Sequence, residues 1–70
     1  MPDLQQEMME LWDDADLLLM SARVDAPRGT ELIRKLLACS DRAHDAGFLF
    51  GERQLRRAAS DLQIRLHNSN

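Results

Sequence analysis

Seventy residues with twelve acids, nine bases, two histidines and one cysteine, net charge −3, make one domain at most. Cys39 has no second cysteine to bond within the chain, and His44 and His67 are its only histidines, so the expectation is no disulfide, no metal and no cofactor. A core this small stabilises a fold by only a few kcal/mol beyond the ordering cost, which leaves association with a second molecule as the remaining source of cover.

Val, Ile and Thr are scarce while Leu, Ala, Met, Glu, Gln and Arg dominate, a helix-forming composition without β-like alternation. Helix 1 is predicted over about residues 3–23. Pro2 is tolerated at a helix start, and Asp3 suits the positive end of the dipole. Leu4, Met8, Leu11, Ala15, Leu18 and Ala22 step by four, three, four, three, four, which sets all six on one stripe suited to packing against other helices. Trp12 and Leu19 fall at its margin; Met9, Leu17 and Met20 fall outside it. Near residues 17–20 the helix is apolar almost all round, which implies burial on more than one side.

A break is predicted over Val24-Asp25-Ala26-Pro27-Arg28-Gly29, because Pro27 disfavours helix at Ala26 and Gly29 weakens it again. Helix 2 follows over about 30–46 with Thr30 as N-cap; an alternative start uses Asp25 as cap with Pro27 in the first turn. Its apolar stripe is Leu32, Ile33, Leu36, Cys39 and Ala43, with Ser40 inside it, and Gly47 stands where a C′ glycine belongs. Phe48-Leu49-Phe50-Gly51 reads as a link to helix 3, about 52–67, whose buried face is Leu55, Ala58, Ala59, Leu62 and Leu66. The polar tail from His67 is expected to fray. Links this short favour antiparallel neighbours, so helices 2 and 3 should form a hairpin. The fold class is therefore all-α, a long N-terminal helix plus an antiparallel helical hairpin in a dimeric bundle.

Charge is spread unevenly. Residues 1–27 carry seven acids against Arg23 alone, a net −6, whereas residues 28–70 carry five acids against eight bases, a net +3. Asp3, Glu7, Glu10 and Asp14 step along one side of helix 1, and Arg53, Arg56 and Arg57 lie away from the leucines of helix 3. These faces could pair across a dimer or reach a charged partner; a solvated charged face on each helix is the plainer alternative. Eight of the nine bases are Arg, which suits oriented pairs at interfaces and equally a GC-rich genome.

The start MPDLQQEMM is acidic and lacks a basic n-region, the longest apolar run (Leu17 to Met20) is four residues, and a lone thiol suits a reducing compartment. The expectation is a cytoplasmic chain with no membrane partner.

Catalysis is not expected. Neighbours His44 and Asp45 point about 100° apart on a helix, Cys39 on the apolar stripe reads as a small core residue rather than a nucleophile, and no glycine-rich loop cradles a phosphate. Nucleic acid fits poorly as well. Ala43 followed by Gly47 suggests a helix-turn-helix, but the packing positions six and nine residues after the glycine hold Arg53 and Arg56, and burying two unpaired guanidiniums is too costly. The acidic first helix would also repel phosphates.

What remains is binding to protein. Met9, Trp12, Leu17 and Met20 are the candidate partner or dimer contacts on helix 1, with methionine supplying adaptable contacts. Phe48, Leu49 and Phe50 are expected to turn one or two side chains inward to cap the core; otherwise they form an exposed knob between Gly47 and Gly51 that inserts into a partner, which adds Phe48 and Phe50 to the candidate partner or dimer contacts. The span Glu31 to Leu66 resembles other short helical hairpins built around a glycine turn. Small type III secretion co-chaperones share this size, acidity and layout. Small phosphatase-regulating peptides share the layout too, but their serine-to-aspartate signature is absent, since Ser60 and Asp61 are adjacent. The resemblance implies a role in binding and masking a larger protein. The resulting expectation is a homodimeric, non-catalytic adaptor, co-chaperone or inhibitor of a larger protein partner; the alternative is a small transcriptional regulator touching DNA through Arg53, Arg56 and Arg57.

Overall fold

The computed structural model describes residues 3–21 and 23–68. They form three helices, α1 (Leu4–Met20), α2 (Ala26–Asp45) and α3 (Leu49–Asn68), and no strand among the described residues.

Helix α1 starts and stops on side-chain caps. Asp3 accepts from the Gln5 backbone N–H at 3.4 Å. Ser21 is extended; its backbone N–H donates to the Leu18 carbonyl and its hydroxyl to the Leu17 carbonyl, so the helix ends at Met20 rather than near residue 23. The Ala22 position of the expected stripe lies outside the described residues. Met8, Leu11, Ala15 and Leu18 are buried as the heptad spacing requires, and Leu4, Trp12 and Leu19 pack partly buried beside them.

The break after α1 is shorter than expected. Helix α2 begins at Ala26, on the alternative start: Asp25 is the N-cap residue and Pro27 lies in the first turn, where its missing N–H costs nothing. Thr30 is therefore inside the helix and caps nothing. Val24, read as part of the break, is buried beneath that first turn.

Helix α2 ends in a Schellman turn. The Phe48 N–H donates to the Ala43 carbonyl at 2.8 Å and the Gly47 N–H to the His44 carbonyl at 3.1 Å, with Gly47 at φ +83°, a conformation open to glycine. Helix α3 then starts at once, with the Glu52 N–H donating to the Phe48 carbonyl. Leu49, Phe50 and Gly51 are thus helical, not linker, and only Ala46, Gly47 and Phe48 connect the two helices. His67 and Asn68 continue α3.

The core combines the three predicted stripes. Leu36, Leu55 and Leu62 are its fully buried large side chains, and Cys39, Ser40, Ala43 and Ala59 fill the spaces between them. Buried Ser40 satisfies its hydroxyl on the Leu37 carbonyl at 2.7 Å. Helix α1 closes over the other two: a Cβ on Gly51 would sit 2.8 Å from the Met8 sulfur, so only glycine lets α1 approach α3 this closely without displacing that side chain. At the far end Arg65 Nη2 donates to the Ser21 carbonyl at 2.8 Å.

Candidate protein-binding site

The close approach of Met8 to Gly51 sets the first half of α1 against the α2–α3 turn and leaves a groove between them. Gln5, Met9 and Trp12 form one wall and Phe48, Leu49 and Phe50 the other, enclosing about 600 Å³ of mostly apolar space. None of the three turn residues folds into the core: Phe48 is 38 % exposed, and Leu49 and Phe50 far more. The inward cap expected of this segment does not form. Helix α3 begins at Leu49, so these side chains radiate from a helical first turn, and Met8 already occupies the space beside Gly51 that an inward ring would need.

Trp12 and Phe50 also belong to a second groove, of about 440 Å³, between α1 and α3, which continues past Asp16, Leu19, Arg57 and Asp61. The two aromatic residues are therefore a shared wall. The Trp12 indole N–H is buried and has no hydrogen-bond partner. Met20 is 83 % exposed and Leu17 66 % exposed, so the chain covers neither with its own core. Leu37 and Ile64 are further exposed apolar side chains that sequence reasoning did not single out.

One member of the acidic ridge of α1, Glu7, is ion-paired inside the chain. Arg42 Nη1 donates to Glu7 Oε2 at 2.7 Å. Asp14 shares one groove with Arg28 and another with Lys35 and Glu10. Arg28, Lys35 and Arg42 stand at seven-residue intervals, so α2 presents one basic edge to α1. Glu10 also accepts from the Gln6 amide, and Asp3 is taken up by capping. On α3, Arg56 lies 3.6 Å from Glu52 and 3.9 Å from Asp41, and His44 Nδ1 lies 2.9 Å from Glu52. Arg53 and Arg57 are exposed and take part in no ion pair among the described residues. The seven charged residues expected to form one contact face thus separate into a seam with α2, a cluster at the α2–α3 turn, and two unengaged guanidiniums. Inter-helix register decides this, and periodicity within one helix carries no information about it.

Burial pushes the Cys39 thiol above its ordinary range, with the Glu7 carboxylate adding to that and Arg42 opposing it, so the thiol is a weak nucleophile. Arg34 Nη2, donating to both carboxylate oxygens, holds the exposed Glu31 carboxyl below its usual range. Among the described residues no group of three or more His, Cys, Asp or Glu side chains could hold a metal ion, and no helix is long and apolar enough to cross a membrane. No protein-family model, no curated protein and no solved structure matches this chain.

Proposed function

We propose that this chain is a small non-catalytic protein-binding regulator, an adaptor, co-chaperone or inhibitor, that masks a surface of a larger protein partner. The observation that carries the reading is the run Phe48, Leu49 and Phe50, exposed one after another on a helical turn and facing Met9 and Trp12 across an apolar groove. Aromatic anchors on rigid backbone bind with little ordering cost, methionine adds adaptable contacts, and the charged surroundings supply the polar rim of a protein interface. The mechanism is occlusion: an apolar anchor of the partner enters the groove and its own surface is covered.

The working unit in this reading is a homodimer in which α2 and α3 form an antiparallel hairpin. Supporting the hairpin, a Cβ on Gly29 near the start of α2 would lie 3.0 Å from Leu66 near the end of α3, while His44 and Glu52 meet at the turn. Supporting the dimer, Leu17 and Met20 remain uncovered in the single chain. The DNA alternative finds less support, because Arg56 is engaged by Asp41 and Glu52 and only Arg53 and Arg57 are left for phosphates.

The test is affinity capture from native cells with the wild-type chain and with a Met9→Asp, Leu49→Asp variant whose helicity is unchanged. A defined protein retained by the wild type and lost by the variant is the expected result. No enriched protein, or equal capture by both chains, overturns the reading.

A further inference from the structure

We propose that the occupant of the groove is a basic amphipathic helix of the protein partner. Its apolar anchors sit between Met9, Trp12 and the Phe48–Phe50 turn, and a Lys or Arg about two turns away sits between Asp16 and Asp61. This names the chemistry of the partner in the reading above and rests on that reading. Shape, charge and level carry it.

Shape calls for a helix. Met8 meets Gly51 at one end and Ser21 meets Arg65 at the other, so α1 and α3 run the same way, side by side. Between them the apolar groove passes into the second groove over the shared wall of Trp12 and Phe50. The channel is walled by α1 from Gln5 to Leu19 and by α3 from its first turn to Asp61, a length of about 20 Å, or roughly four helical turns. A helix laid along two helical walls packs against both, with one face supplying the anchors.

Charge selects a basic helix. The turn end of the channel has no charged wall residue. The rest has Asp16 on α1, and Arg57 and Asp61 on α3. None of these three takes part in an ion pair among the described residues. All three are exposed, so water solvates them in the free chain. An occupant removes that water. One guanidinium then faces two carboxylates, and a carboxylate covered without a counter-charge is strongly unfavourable. The occupant must therefore bring at least one positive charge. Arg53 does not change this balance, because it lines neither groove. Arg56 is engaged by Glu52 and Asp41, and Arg28, Lys35 and Arg42 stand on α2, along the other side of α1.

Level sets the spacing. A residue of α1 stands level with one 43 or 44 positions later, so Asp16 and Asp61 face each other within about 3 Å along the helix axes. The apolar stretch of α1, Gln5 to Trp12, is centred near Met9, about two turns before Asp16. A partner helix with its apolar anchor and its cation about seven or eight positions apart reaches both places at once.

Peptides test this, with Trp12, the only tryptophan of the chain, as reporter. Three tryptophan-free helical peptides of about four turns carry Phe and Leu anchors in one half and differ only at two positions about two turns away, which hold Lys, Gln or Glu; each is made in both sequence orders. Titrated into the full chain at about 150 mM salt, the Lys peptide is expected to shift Trp12 emission and to bind at least about tenfold tighter than the Glu peptide. Asp16→Asn, Asp61→Asn should abolish that preference, and Asp16→Lys, Asp61→Lys should reverse it. Glu10→Gln, Asp45→Asn, which removes the same charge outside both grooves, should keep it. Circular dichroism checks that each variant is helical. Equal or tighter binding of the Glu peptide, or a preference lost as fully in the Glu10, Asp45 variant as in the Asp16, Asp61 variant, overturns the basic helix; binding that still disappears in Met9→Asp, Leu49→Asp would leave the groove reading standing. No binding of any peptide overturns the basic helix, and capture from cells then decides the groove reading alone. A concentration-dependent Trp12 emission in the peptide-free wild type that vanishes in Met9→Asp, Leu49→Asp marks a second copy in the groove and overturns it too.

Discussion

Glu7 and Arg42, thirty-five residues apart in the chain, meet at 2.7 Å and close one end of the charge seam between α1 and α2. Arg42 is more than half exposed and Glu7 about a third, so solvent screens the pair and its contribution falls within about 0–1 kcal/mol. A double-mutant cycle with Glu7→Gln and Arg42→Gln, read by urea denaturation, should return a coupling no larger than about 1 kcal/mol that shrinks with added salt. A much larger coupling would mean that the seam, and not the apolar stripe beneath it, holds α1 in place.

The turn between α2 and α3 depends on a single backbone conformation. Gly47 sits at φ +83° with open space around its Cα, so a side chain there meets no neighbour and only the backbone resists it. Gly47→Ala should cost about 1–2 kcal/mol, seen as a lower Tm, with the helical content of the folded chain unchanged. A neutral substitution would show that the turn relaxes readily to negative φ.

Leu36, Leu55 and Leu62 have no exposed surface, and truncation of any one leaves a cavity that three helices of this length cannot collapse to fill. Leu62→Ala should cost about 2–5 kcal/mol, a large share of the stability of so small a domain. Chemical denaturation should show the variant largely unfolded without denaturant, or with a midpoint near zero.

These leucines were legible because three strong apolar stripes each name their own buried face: Met8, Leu11, Ala15 and Leu18 on α1, and Leu55, Ala59 and Leu62 on α3, come straight from spacing. What spacing cannot carry is the level at which one helix meets another. Val24 is buried beneath a turn that the sequence marks as a break, and Arg42 and Arg56 find partners on other helices. The same limit applies to the groove. Met9, Trp12 and Phe50 were individually conspicuous, but their meeting across the turn depends on Gly51 admitting Met8. Phe48–Gly51 reads as a link because nothing in its composition marks α3 as starting at Leu49, directly after the turn that Gly47 closes.

Cys39 gives a pH dependence with a definite sign. Burial raises its thiol pKa in the folded chain, so the neutral form is favoured there. The stability this represents is fully present below the unfolded thiol value of about 8.5 and is lost as pH rises through the folded value. Thermal stability should therefore fall above about pH 8.5 in the wild type and fall less in Cys39→Ala. Alkylation by iodoacetamide at neutral pH should be slow in the folded chain and fast in denaturant. Rapid native labelling would contradict the burial.

Leu17 and Met20 are both uncovered and stand three residues apart, about 60° apart around α1. As exposed sites they should tolerate a polar side chain in the single chain, so Leu17→Glu and Met20→Glu should each alter its stability by no more than about 0.5 kcal/mol. In the proposed homodimer these side chains are covered, so Leu17→Glu should lower the two-chain mass toward one chain, read by light scattering over a dilution series. A wild type already at the mass of one chain, or a two-chain mass unchanged in both variants, contradicts a dimer that covers this end of α1.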